Sequence, residues 1–169
     1  VHESVLAWGA RIVAAYGLDV GHHHVLEVGS QDINGSFRHL FKETGSYTGI
    51  DQQDGPGVDI VGDATDLAGI GNLFDVVVST ELLEHCDRFW AAMEAMGGAL
   101  RPGGWLLLTA RGWTPEGRAM FEHSYPHDYW RFGRQAVPLL VDMAGCDLIE
   151  TEQDTQAPGF MALGRRRAR

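Results

Sequence analysis

Glu27 is a carboxylate inside an apolar run, Val25-Leu26-Glu27-Val28, and such a group costs stability unless a cation or a hydrogen-bond donor meets it. The run breaks at Gly29-Ser30-Gln31-Asp32-Ile33-Asn34-Gly35-Ser36 and resumes as Phe37, Leu40 and Phe41. Strand, polar turn and helix in that order aim backbone N–H groups and a helix N-terminus at one point, which suits a carboxylate or phosphate. Gly29 lets a ligand approach the backbone, because no Cβ stands in the way. A ligand ammonium would answer Glu27. About 20 residues past Gly29, Tyr47-Thr48-Gly49-Ile50-Asp51 ends on an acid, where a doubly wound sheet places a carboxylate that accepts from both ribose hydroxyls. A dinucleotide fingerprint requires glycine at position 31, where this chain has Gln31, which counts against nicotinamide-dependent oxidoreduction.

Titratable groups gather again further on. His85 lies just beyond a fourth apolar strand, at the strand end where open α/β sheets keep their ligands, and His123 and His127 lie in a later aromatic stretch. Each is a candidate general base, a role worth roughly a hundred- to ten-thousandfold in rate. The plainer reading gives His85 a place at a helix start and makes His127 a support for its loop, bonded to backbone or to Asp128. Glu81, Glu84 and His85 fall on one face if their segment is helical, and His123 or His127 would complete a divalent-metal set. In Gly62-Asp63-Ala64-Thr65-Asp66, the aspartates suit turning the chain and capping a short helix. His22-His23-His24 leads into a strand, whose adjacent residues point to opposite faces, which does not favour a metal site.

The elements that must position these groups follow from periodicity. Val5, Trp8, Ile12 and Tyr16 predict a helix over residues 3 to 16, ended by Gly17 and packed on the sheet. Strands are predicted at 24 to 29, 47 to 51, 58 to 61, 74 to 80 and 105 to 109, with a helix from Gly35 to Glu43. Arg88 to Leu100 reads as a helix with Trp90, Met93 and Leu100 inward, stopped by Arg101-Pro102-Gly103-Gly104. The stretch from Ala110 to Phe132 is irregular. Arg134 to Ala144 is helical with a late start or kink at Pro138, and two closing strands, 147 to 152 and 158 to 163, form an antiparallel pair at a sheet edge.

At 169 residues the chain is predicted to be one domain over 1 to 164 with a basic tail at 165 to 169. Two isolated cysteines, no apolar run of about 18 residues and no leader pattern point to free thiols, no membrane span and a cytoplasmic setting. A net charge of −10 opposes a nucleic-acid backbone as partner.

Several blocks together resemble class I S-adenosylmethionine-dependent methyltransferases: E-V-G with its polar turn and Gly35, F-D-V-V-V-S-T-E-L-L-E-H paired with L-R-P-G-G-W-L-L-L-T, and Y-P-H-D-Y-W-R-F. The resemblance spans roughly residues 25 to 160. It implies a Rossmann-like α/β fold with a seven-stranded, mostly parallel sheet and helices on both faces. The implied cofactor is S-adenosyl-L-methionine, released as S-adenosyl-L-homocysteine. It would be held by Glu27, Gly29, Ser30, Gly35, Asp51, Gln52 and Thr80, with Asp63 and Ala64 reading the adenine. His85 and His127 would be catalytic, and the acceptor a small molecule or glycan. Methyl transfer is an in-line displacement, for which alignment supplies about 7 to 11 kcal/mol of the barrier. Two other readings remain: a non-catalytic scaffold on the same fold, since the glycine loop departs from the E/D-x-G-x-G-x-G pattern, and a metal-assisted RNA 2′-O-methyltransferase, whose E-x-x-E-H motif is similar.

Overall fold

The computed structural model describes every residue except Asn72, 114–126, Thr155 and Arg169. Among the described residues the strands are β1 (His24–Val28), β2 (Ser46–Asp51), β3 (Ile60–Val61), β4 (Phe74–Thr80), β5 (Leu100–Arg111), β6 (Cys146–Gln153) and β7 (Gly159–Arg166). They form one sheet in the order β3-β2-β1-β4-β5-β7-β6. The first five run parallel, and β7 lies antiparallel between β5 and β6. Three α-helices among the described residues accompany them: α1 (Glu3–Tyr16), α2 (Phe89–Ala99) and α3 (Ala136–Met143). This is the predicted Rossmann-like doubly wound arrangement.

The sheet's two faces bury alternate residues, as the two-residue period of a strand requires. Val25, Val76, Val78, Leu107 and Leu163 meet Val5, Trp8 and Ile12 of α1 on one face. Leu26, Val28, Val77, Leu106 and Leu108 meet Met93, Met96, Val137 and Leu140 of α2 and α3 on the other. Every residue of β4 is buried, as befits a central parallel strand covered on both sides. Each fully buried aliphatic side chain contributes roughly 1.5 to 3 kcal/mol.

Several local expectations are corrected. The helix predicted from Gly35 to Glu43 is one 3-10 turn, Phe37–Leu40. Gly35 at φ 105° and Phe41 outside helical dihedrals bracket it too closely for more. Val58 and Asp59 do not join β3, because the Val58 N–H closes a turn onto the Gly55 carbonyl. Trp90 is 44% exposed rather than inward, while Ala92, Met93 and Met96 form the buried face of α2. Arg101-Pro102-Gly103-Gly104 does not separate helix from strand. It is a bulge within β5, between the Phe74–Leu100 and Val76–Trp105 pairs, with Gly103 at φ 75°. α3 starts late, at Ala136, which leaves Pro138 in the first turn, where no N–H is needed. β7 runs on through Arg165 and Arg166 of the basic run. Both cysteines are free thiols.

Candidate active site

β1 leads to β2 on one side of the sheet, and the chain then crosses to β4 on the other, so the strand order reverses between β1 and β4. Ligands of open α/β sheets bind beyond the strand ends at such a point. A cavity of about 350 Å³ lies there, lined by Gly29, Asp51, Gly62 and Thr80 at or just past the ends of β1 to β4. Its volume is in the range of small-ligand pockets.

Glu27 lines the cavity and is only 1% exposed. The Ser36 hydroxyl lies 2.9 and 3.2 Å from its two oxygens. Burial pushes the Glu27 carboxyl up, and the Ser36 bond opposes the shift. Gly29 is at φ 80°, and a side chain there would crowd Leu82, so glycine keeps this approach open. Ser30 is buried, and its Oγ would lie 2.6 Å from a Cβ built at Gly49, whose missing side chain makes the room. Gln31, in place of the fingerprint glycine, reaches back with its amide to the Asp54 carbonyl at 3.3 Å. Gly35 donates to Asp32 Oδ1 at 2.7 Å, closing the turn.

Asp51 ends β2 with its carboxylate held by two backbone donors, Gln31 N–H on Oδ2 and Gln53 N–H on Oδ1, both at 3.1 Å. Gln52 and Ala64 also line the cavity. Asp63 does not. Its Oδ1 accepts from the Thr65 N–H at 2.8 Å and the Thr65 hydroxyl at 2.9 Å, and these bonds hold its carboxyl below the usual range. Here the turn-forming reading of Asp63 describes its contacts.

The segment after β4 differs most from expectation. His85 lines the cavity, but the His127 ring is exposed and outside it. The two meet through the backbone, His85 Nδ1 donating to the His127 carbonyl. His123 lies outside the described residues. Glu81, Glu84 and His85 share no helical face, because only Leu83–His85 makes a 3-10 turn and Glu81 sits before it at φ 57°. The Glu81 carboxylate is committed to the Thr109 hydroxyl and Arg111, and Glu84 is wholly buried. Among the described residues no three His, Cys, Asp or Glu side chains come together as a metal site.

Sequence reasoning did not single out Arg111 as a site residue. It is 1% exposed at the end of β5, between Glu81 and Asp154, the latter at 3.0 Å. The signal was available, since Arg111 ends an apolar strand much as Glu27 interrupts one. Cys86 also lines the cavity.

Residues 26–108 match the family model described as a methyltransferase domain. No curated protein matches the sequence. Among solved structures, 1,6-didemethyltoxoflavin-N1-methyltransferase of Burkholderia thailandensis, with bound 1,6-didemethyltoxoflavin and S-adenosylhomocysteine, superposes with a TM-score of 0.76 at 17% identity, over 98% of this chain and 79% of that one. The sugar N-methyltransferase KedS8 of Streptoalloteichus gives 0.72 at 16% identity over 98% and 87%. The N-methyltransferase NodS of Bradyrhizobium japonicum, in complex with S-adenosylhomocysteine, gives 0.69 at 16% over 95% and 85%. These likenesses show the fold of S-adenosylmethionine-dependent methyltransferases over nearly the whole chain. The cavity fits S-adenosyl-L-methionine: among the described residues the carboxylates Glu27 and Asp51 line its β1–β2 side and no lysine or arginine lines it, which suits a cationic ligand.

Proposed function

We propose that the chain moves a methyl group from S-adenosyl-L-methionine to a small-molecule or glycan acceptor. The observation that carries this reading is the acidic cavity at the strand-order reversal, with Asp51 at the end of β2 and Glu27 in β1. The 1,6-didemethyltoxoflavin and the sugar named for two of the similar structures support the acceptor class. Two observations weigh against an RNA acceptor with a metal: the net charge of −10 and the pairing of Glu81 with Arg111.

In this reading Asp51 accepts from the ribose hydroxyls, with two backbone N–H groups fixing its carboxylate, and Glu27 answers the cofactor's ammonium. Gly29, Ser30 and Gly35 shape the loop beneath it, Gln52 forms part of the rim, Ala64 lies beside the adenine, and Thr80 closes the floor. When bound, the cofactor supplies an electrophilic methyl on a sulfonium, which an acceptor lone pair displaces in line. The protein's part is mainly to align the acceptor and exclude water. A carbonyl only accepts, so the His127 carbonyl requires the proton of a neutral His85 on Nδ1 and makes Nε2 the basic nitrogen. His85 is thereby oriented to take a proton, and His127 serves through its backbone.

Calorimetric titration with S-adenosylmethionine, S-adenosylhomocysteine and NADH tests the cofactor. Micromolar binding of the first two alone is expected. Asp51→Ala should weaken S-adenosylhomocysteine at least about tenfold, the value of one lost charge-assisted hydrogen bond. Unchanged affinity would place the ribose elsewhere. Transfer of a labelled methyl across a panel of small molecules, sugars and RNA then tests the acceptor class.

A further inference from the structure

Glu81 follows directly on β4 and is the one non-glycine residue at positive φ among the described residues. A side chain persists in that conformation only where its surroundings fix it, and such positions cluster at ligand sites. Here the surroundings are specific. The Glu81 N–H donates to the Thr109 carbonyl at 3.1 Å, Oε1 accepts from the Thr109 hydroxyl at 2.7 Å, and Oε2 pairs with Arg111. Arg111 is locked in turn by Asp154 at 3.0 Å, and Asp154 accepts from the Ser4 hydroxyl at 2.5 Å and the Gln156 N–H at 2.9 Å.

A guanidinium and one carboxylate already make a neutral buried pair, which Arg111 and Asp154 supply. The second carboxylate leaves the trio net negative. The trio reaches the cavity only through Glu81, whose side chain is 15% exposed, because Arg111 and Asp154 are buried and line none of it. A partly buried excess negative charge, in a wall where no lysine or arginine stands among the described residues, is complementary to a cation entering from the cavity side. On the reading above, Glu27 and Asp51 hold the cofactor's ammonium and ribose from β1 and β2, whereas Glu81 stands on the β4–β5 side with His85.

We propose that Glu81 is the acceptor-recognition residue of this cavity and that the acceptor it selects is an amine, bound as its ammonium. This rests on the methyltransferase reading and narrows it to transfer onto nitrogen. An ammonium must shed one proton before its nitrogen has a lone pair to offer, and on the reading above His85, which also lines the cavity, takes that proton while Glu81 holds the nitrogen. Arg111 and Thr109 are positioning residues that act through Glu81.

The test is binding, with a probe that does not require the acceptor to be known. Sinefungin carries a primary ammonium where S-adenosylmethionine carries its methylsulfonium, and S-adenosylhomocysteine carries neither. Wild-type protein should bind sinefungin about tenfold or more tightly than S-adenosylhomocysteine. Glu81→Gln should abolish that preference and leave S-adenosylhomocysteine affinity within about twofold. Thr109→Val, which removes one restraint on the carboxylate, should reduce the preference in the same direction, and the wild-type comparison stands even if a variant fails to fold. Equal wild-type affinities, or a preference that survives Glu81→Gln, would overturn the proposal while leaving the cofactor reading intact. If neither nucleoside bound, the cofactor reading would fail and take the proposal with it.

Discussion

Glu84 shows how far a residue's role depends on what the chain packs around it. From the sequence it is a candidate metal ligand, because E-x-x-E-H presents one face on a helix. The segment is not helical before Leu83, and Glu84 points into the protein, with neither carboxyl oxygen hydrogen-bonded among the described residues. Burial and the negative charge of Glu81 push its pKa from 4.5 to about 8. The folded protein therefore keeps a proton that the unfolded chain releases above about pH 4.5. The stability this contributes is full below that pH and falls as pH rises toward 8, by up to about 1.4 kcal/mol per unit. Glu84→Gln does not titrate. The difference in melting temperature, variant minus wild type, should grow by several degrees between pH 5 and pH 8. A difference that stays flat across that range would mean that Glu84 is ionised in the folded protein. At this scale Glu27 and Asp51 were legible, since a lone acid in or at the end of an apolar strand is a local signal. The Glu81–Arg111–Asp154 trio was not, because its members come from three distant stretches and meet only once β4, β5 and the turn before β7 are assembled.

At the scale of elements, periodicity located the strands and long helices, and errors fell where turns or tertiary contacts decided. Phe37–Leu40 has the apolar spacing of a helix, but closely spaced breaks in the backbone cut it to one turn. The stretch from Ala110 to Phe132 looked uniformly irregular, yet its beginning extends β5 and its end docks on the turn after β4. Tyr129 and Trp130 N–H groups donate to the Glu84 carbonyl at 2.7 and 3.3 Å, and Trp130 Nε1 donates to the Cys86 carbonyl at 2.9 Å. Phe89 meets the Trp130 ring edge-on, with centroids 5.3 Å apart. This segment carries the His127 carbonyl to His85, so its docking sets the His85 ring. Trp130→Ala removes one hydrogen bond and the ring contact, a loss of about 1 to 3 kcal/mol. His127→Ala leaves the carbonyl in place and should change stability by no more than about 0.5 kcal/mol, the usual range for an exposed position. Thermal unfolding of the two variants separates the cases. A His127→Ala protein as unstable as Trp130→Ala would show that the His127 ring, not its backbone, holds the segment.

The whole molecule joins two halves of a sheet at the strand-order reversal, and a ligand there touches both. β1 and β2 contribute Glu27, Gly29 and Asp51, whereas the end of β4 and its following turn contribute Thr80, Glu81 and His85. The unfolded chain has no such cavity, so binding favours the native state by RT ln(1 + [L]/Kd), about 2.7 kcal/mol at a hundred times Kd. A domain of this size shifts its melting temperature by roughly 2 to 4 °C per kcal/mol, so saturating S-adenosylhomocysteine should raise it by about 5 to 11 °C. Asp51→Ala, binding about tenfold more weakly, should forfeit about 1.4 kcal/mol of that at the same ligand concentration, or roughly 3 to 5 °C. NADH should give no shift, because Gln31 stands where the dinucleotide loop requires glycine. The sheet order alone does not distinguish the two ligands, since both kinds of enzyme use a strand-order reversal. The loop residues do, and a shift with NADH but not with S-adenosylhomocysteine would mean that Gln31 and the longer turn admit a pyrophosphate after all.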